Sequence, residues 1–267
     1  MESNPLVSII IPSRGLLRER DETKASDLLH AVQSVIERST FLDYEFVIVL
    51  DLGASLEVIQ GLEQLAERTR LRIVWFDKPF NFSEKINLGA CHARGDYFLI
   101  LNDDIEIISA TWLTDMVGSL QQPQIALVGA LLYFQDGSVQ HAGHSYENGA
   151  PDHVLSLDDI RLPATAANGE RDVSGVTAAC SLVRRSVYFD VGGFTAFLPG
   201  NFNDVDFCLK VRKLGHRIVI QPSAELFHFE SVSRKTFVHD FELSFLQKRW
   251  GPELRGPDRF LTSARQR

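Results

Sequence analysis

Hydrophobic positions along this chain switch between two periods. Val7-Ser-Ile-Ile-Ile-Pro12 is a short β-branched run stopped by proline, which suits a buried strand. Leu28, Leu29, Val32, Val35 and Ile36 then recur at helical spacing, predicting a helix over Ala25–Arg38. The alternation continues with a strand at Glu45–Leu50, a helix at Leu56–Arg68, a strand at Leu71–Phe76, a helix at Glu84–Arg94 and a strand at Asp96–Leu101. Strands that alternate with helices imply a mostly parallel sheet covered on both faces. Ligands of such sheets bind at the carboxyl ends of the strands, so chemistry is expected just after Ile11, Leu50, Phe76 and Leu101.

The second half is less regular. Ile125–Phe134 and Val173–Val183 are strand candidates, and Gln135–Asp172 between them is rich in Gly, Asp, Asn and Pro. A connection of that length reads as a lid or binding loop, or else as a mobile segment. A helix is expected at Asp204–Leu214, a strand at Arg217–Gln221 and a last helix from about Thr236 to Trp250. No linker divides the chain, so residues 1–267 read as a single α/β domain.

Two acidic clusters carry the candidate chemistry. In Leu101-Asn-Asp-Asp-Ile-Glu106 an apolar strand runs into three carboxylates, which repel one another unless a cation or a basic group lies among them. Hard oxygen ligands suit Mg2+ or Mn2+, and the spacing Asp104-x-Glu106 puts both side chains on one side of an extended backbone. The same residues would equally make a solvated acidic turn ahead of a helix near Ser109. In Phe202-Asn-Asp-Val-Asp206, Asp204 falls at a helix N-terminus, where the dipole favours the ionised form required of a general base. An ordinary N-cap with a first-turn aspartate has the same pattern. His228 ends a short apolar strand and gains weight only from the acidic residues near it. His141 and His144 resemble a metal spacing weakly and read as part of a substrate-side loop with no metal.

Composition narrows the class. A net charge of −8 argues against nucleic acid as a partner. The basic residues Arg234, Lys235, Lys248, Arg249, Arg255 and Arg259 read as a solvated helical face. Three dispersed cysteines without a CxxC fit reduced thiols in the cytoplasm. No signal peptide and no apolar run of about 18 residues is seen, which leaves at most peripheral membrane contact.

Several fragments in sequence order resemble glycosyltransferase family 2, the inverting transferases with the GT-A fold, and closest of all its bacterial polysaccharide, rhamnosyltransferase-like branch. They are Val7-Ser-Ile-Ile-Ile-Pro-Ser-Arg14, Phe80–Gly89 with Ala93-Arg-Gly-Asp96, Asn102-Asp-Asp-Ile-Glu106, Val176–Arg185 with Val191-Gly-Gly-Phe194, Asn203–Lys210 and His228–Arg234. Gln140-His-Ala-Gly143 is typical of that branch.

The resemblance implies a mixed, mostly parallel GT-A sheet with a nucleotide-binding half at 1–106, an acceptor-binding half at 107–234 and a C-terminal helix and tail at 235–267. It implies Asp204 as catalytic base, and Asp104, Glu106 and His228 as ligands of Mn2+ or Mg2+. Pro12, Ser13, Arg14, Asp51, Lys85 and Asp103 would surround the nucleotide, with Asn203, Asp206 and His141 on the acceptor side. The partners implied are a nucleotide-diphosphate sugar and a glycan or lipid-linked glycan. Asn203 stands where many members have an acidic residue, and Asp51-Leu-Gly-Ala54 replaces an Asp-Gly-Ser turn, which leaves the nucleotide open. The competing expectations are a nucleotidyltransferase, for which Ser13-Arg-Gly15 is a thin phosphate loop, and a catalytically silent nucleotide-sugar-binding module.

Overall fold

The β-branched run at the N-terminus is buried at every position as β1 (Val7–Ser13). The computed structural model describes residues 5–20, 23–147, 149–161, 169–229 and 238–262. After β1 come a small hairpin of β2 (Arg18–Arg20) and β3 (Thr23–Ala25), α1 (Asp27–Arg38), β4 (Tyr44–Asp51), α2 (Leu56–Ala66), β5 (Leu71–Phe76), α3 (Phe82–His92) and β6 (Tyr97–Leu101). Two of these helices start at a capping side chain. The Ser26 side chain accepts from the Leu29 amide ahead of α1, and that of Asn81 accepts from the Glu84 amide ahead of α3.

β7 (Ile105–Ile107), α4 (Trp112–Leu120), β8 (Ile125–Tyr133), β9 (Val139–His141), a hairpin of β10 (His144–Glu147) and β11 (Ala150–His153), and β12 (Arg171–Asp172) follow. The chain then forms β13 (Cys180–Arg184), α5 (Arg185–Asp190), α6 (Asn203–Lys213), β14 (Arg217–His228) and α7 (Asp240–Trp250). One ten-stranded sheet runs in the order β12-β14-β8-β13-β6-β1-β4-β5, with β7 added to β14 and β9 to β8. β1, β4, β5 and β6 are parallel, as are β8 and β14, and β13 joins these two groups antiparallel to both.

Alternation along the central strands feeds two cores. Ile9, Ile11, Ile48, Leu99 and Leu101 pack on the face covered by Leu28 and Val32 of α1 and Leu62 of α2. Ile10, Val47, Val49, Phe98 and Ile100 pack on the other face, against Ile86 and Ala90 of α3. Burial on both faces is why these strands read as continuous apolar runs.

Four expectations change. Gln135–Asp172 is not patternless, because β9 to β12 form within it; residues 162–168 lie outside the described residues. The strand expected over Val173–Val183 is regular only at Cys180–Arg184. Side chains capture the amides that a strand would pair: Val176 N donates to Cys208 Sγ, Thr177 N to His141 Nε2, Ala178 N to Asp204 Oδ2 and Ala179 N to Thr177 Oγ1. The strand expected at Arg217–Gln221 instead runs to His228, passing Pro222 at a register shift between Gln221 and Glu225, where proline is tolerated. The last helix starts at Asp240, and the expected segments at Glu230–Arg234 and from Lys235 to Phe237 lie outside the described residues.

Candidate active site

The end of β6 builds the first half of the site. Asn102, Asp103 and Asp104 turn the chain out of the sheet before β7 pairs with β14, and that ladder sets His228 opposite Ile105. Asp104 is buried, and its Oδ1 lies 3.2 Å from His228 Nε2. Asp103 is half-buried and accepts a 2.5 Å hydrogen bond from Ser13 Oγ. Loss of water raises the Asp103 carboxyl to about 6, the charge of Asp104 adds to the rise, and the Ser13 bond opposes it. Ser13, Arg14, Asn102, Asp103 and Asp104 line a cavity of about 470 Å³ that Pro12 also borders. A second cavity of about 300 Å³ shares Arg14 and continues past Asp51, Gly53 and Phe76 to Lys78.

Oxygen and imidazole donors converging within 3.2 Å fit a divalent ion that takes both, and Mn2+ does so more readily than Mg2+. Glu106 does not join them. Asp104 lies in the turn before β7, so strand alternation does not hold between the two, and Glu106 pairs with Arg38 at 3.1 Å and His30 at 3.2 Å on α1. Lys85 also differs from expectation. It is wholly buried and holds Asp51 Oδ1 and the Ser13 carbonyl, each at 2.6 Å, so its charge braces the ends of β1 and β4. Burial pulls its pKa down, and Asp51 opposes that shift.

The second half is built at the start of α6. Phe202 precedes the helix at φ 57°, a left-handed conformation strained for a bulky residue. Asp204 follows, with Oδ1 accepting from the Val205 amide at 2.8 Å and Oδ2 from the Ala178 amide at 3.4 Å. The carbonyl of the next residue, Ala179, accepts from Asn102 N at 2.9 Å. Clusters a hundred residues apart in sequence thus meet across Thr177–Ala179. Asn203 is buried.

Asp206, expected on the acceptor side, is fully buried. It accepts from Trp250 Nε1 at 2.8 Å and Thr195 Oγ1 at 2.6 Å, and pairs with Arg249. Two helical residues turn about 200° around the axis, so Asp206 faces α7 while Asp204 faces Ala178.

Beside Asp204 lies a group of three histidines. Gly143 takes φ 124°, and a Cβ there would come 2.7 Å from Val173, so this bend between β9 and β10 requires glycine. The bend stacks His141 and His144 edge to face, and β11 adds His153. One nitrogen from each ring lies within 4.8 Å of the others, near enough to hold a metal ion. The Thr177 amide donates to His141 Nε2, which puts the neutral ring's proton on Nδ1, and that proton is shared with His153 Nδ1 at 2.9 Å. His144 Nε2 stands 4.0 Å from Asp204 Oδ2.

Burial lowers His144 from 6.5 to about 4, with Asp204 opposing, and also holds His141 well below its ordinary value. The unfolded chain therefore takes up a proton near pH 6.5 that the folded chain refuses until about pH 4. His144 contributes no penalty above pH 6.5, and stability falls as pH drops toward 4, by up to about 3 kcal/mol. Asp103 acts in the opposite sense below pH 6, so the difference between variants is the clean measurement. Urea unfolding of the protein and its His144→Gln variant should show the variant losing less stability between pH 7 and 5; equal slopes would contradict the assigned shift.

The profile of "Glycosyl transferase family 2" matches residues 8–192. The chain belongs to glycosyl transferase family 2. The matched span includes the Asp103–Asp104 turn and Thr177–Ala179 and stops before Asp204. As a family 2 chain it is 31% identical over 240 residues to the O-antigen biosynthesis protein RfbC of Myxococcus xanthus, covering 88% of this chain and 18% of that protein. It is 29% identical over 148 residues to N-acetylglucosaminyl-diphospho-decaprenol L-rhamnosyltransferase of Mycobacterium tuberculosis, covering 52% of this chain and 48% of that one. The chain thus spans less than half of either relative. Among solved structures, GalNAc-T7 with UDP, GalNAc and Mn2+ superposes with a TM-score of 0.69 at 16% identity, over 87% of this chain and 45% of that one. The fold is the GT-A glycosyltransferase fold. No helix among the described residues is long and apolar enough to cross a membrane.

Sequence reasoning missed Gln140 as a partner of His228, His153 as a third ring beside His141, and the backbone of Thr177–Ala179. Only Gln140-His-Ala-Gly-His144 stood out as a string. A β11 histidine and a run of backbone amides carry no local pattern.

Proposed function

We propose that this chain is a cation-dependent, inverting transferase that moves a sugar from a nucleotide-diphosphate donor to a glycan or lipid-linked glycan in polysaccharide synthesis at the cytoplasmic side. The observation that carries the reading is that both acidic clusters hold one segment, Asn102 through the Ala179 carbonyl and Asp204 through the Ala178 amide, beside the Asp104–His228 pair. RfbC and the rhamnosyltransferase support the polysaccharide setting, and GalNAc-T7 supports a nucleotide with Mn2+.

Asp104 and His228 would hold the cation, with Asp103 beside them. When bound, the cation neutralises charge developing on the departing diphosphate. Arg14 and Asp51 line the cavities where the nucleotide lies in this reading, and Ser13 keeps Asp103 turned toward them. Asp204, fixed by two backbone amides, takes the proton from an acceptor hydroxyl as that oxygen bonds to the anomeric carbon and the diphosphate oxygen leaves. One in-line displacement with no covalent sugar–enzyme bond inverts the anomeric centre.

Thermal unfolding with UDP, GDP, dTDP or CMP plus Mn2+ should single out one nucleotide that raises Tm. The matching nucleotide sugar should then be consumed with the opposite anomeric configuration in the product. Nucleotide binding without turnover on any acceptor or water would favour the silent binding module.

A further inference from the structure

The geometry points to Gln140 as the residue that positions His228 for a cation, an inference that rests on the cation reading above. Gln140 is buried in β9 and meets His228 twice. Its Nε2 donates to the His228 carbonyl at 3.3 Å, and its Oε1 lies 2.7 Å from His228 Nδ1. The first contact fixes which end of the amide is which, since only the NH2 group can donate to a carbonyl. Oε1 is therefore an acceptor, and the proton it accepts is on His228 Nδ1.

This assignment decides what the opposite edge of the ring can do. A neutral imidazole carries one proton, so holding it on Nδ1 leaves a lone pair on Nε2. Nε2 faces Asp104 Oδ1 at 3.2 Å and Asn102 Nδ2 at 3.2 Å. Without Gln140, the Asp104 carboxylate is the best remaining acceptor, and it would draw the single proton to Nε2 in place of the bond that Asn102 Nδ2 donates there. The nitrogen that should bind a cation would then be blocked. Gln140 and Asp104 thus compete for one proton, and Gln140 keeps it away from the ligand edge. Partners of this kind on the far nitrogen orient metal-bound histidines, and their loss typically weakens binding about 10–100-fold. The residue adjoins His141, so the loop that supplies the histidine group also sets the tautomer of His228.

The test uses Gln140→Leu, which removes the acceptor, and Gln140→Glu, which retains one. Long-range 15N–1H spectra of the metal-free protein, at a pH where His228 is neutral, should show Nδ1–H in the native protein and Q140E and Nε2–H in Q140L. Calorimetric titration with Mn2+ alone should show affinity falling about 10–100-fold in Q140L and largely recovered in Q140E. An unchanged His228 tautomer in folded Q140L, or unchanged Mn2+ affinity despite a switched tautomer, would overturn the role. Should neither the native protein nor any variant bind Mn2+ while the tautomer switches, the cation reading fails; the role falls with it, but the Gln140–His228 contact stands.

Discussion

Replacing Asp204 with asparagine is expected to lower kcat by about 10²–10⁴-fold, the range that positioned base catalysis supplies, with the fold and donor affinity retained. Asparagine preserves the shape, and its single oxygen can keep the 2.8 Å bond from the Val205 amide while the longer 3.4 Å bond from the Ala178 amide is given up, so the start of α6 should hold. What it removes is the capacity to take a proton. Nucleotide Kd and Tm measured beside kcat separate the two effects. Asp206→Asn is the contrast: that residue is wholly buried against Trp250, Thr195 and Arg249, and removing its charge and one of its acceptor oxygens should cost stability before chemistry. If Asp204→Asn retains full kcat, the base assignment is wrong.

Asp104→Asn is expected to cost about 10²–10³-fold in kcat, the usual loss when one preorganised stabiliser of the leaving group's charge is removed. EDTA should stop transfer by the native protein, Mn2+ should restore it, and the variant should respond weakly to added Mn2+. Glu106→Gln should behave otherwise, because Glu106 pairs with Arg38 and His30 on α1. It should lower Tm slightly and leave the Mn2+ requirement unchanged. Transfer by the native protein that ignores EDTA would remove Asp104 and His228 from this role.

The parallel half of the sheet was legible because its signal is local. Ile9, Ile10 and Ile11 are all buried, as a short β-branched run stopped by proline is in a strand covered on both faces. The starts of α1 and α3 carry a signal of the same local kind, since Ser26 and Asn81 cap within their own segments. What failed depended on partners distant in sequence. Strand alternation suggested that Asp104 and Glu106 share a side, yet the turn after β6 breaks that alternation and α1 takes Glu106. Asp204 and Asp206 look alike in sequence, and only the turn of α6 separates a residue at Ala178 from one sealed under Trp250. The apolar run over Val173–Val183 looked like one strand because its composition is that of a strand. Cys208, His141 and Asp204, from α6 and β9, take its amides and bend it into the segment that joins the two acidic clusters.

The most direct test is the anomalous scattering of Mn2+ in crystals grown with the nucleoside diphosphate that the thermal screen selects. A manganese peak is expected in contact with Asp104 and His228, with the diphosphate in the cavity beside Ser13 and Asp103 and Asp204 facing the space left for an acceptor. A peak on the His141–His144–His153 group with none at Asp104, or a nucleotide bound away from that cavity, would contradict it.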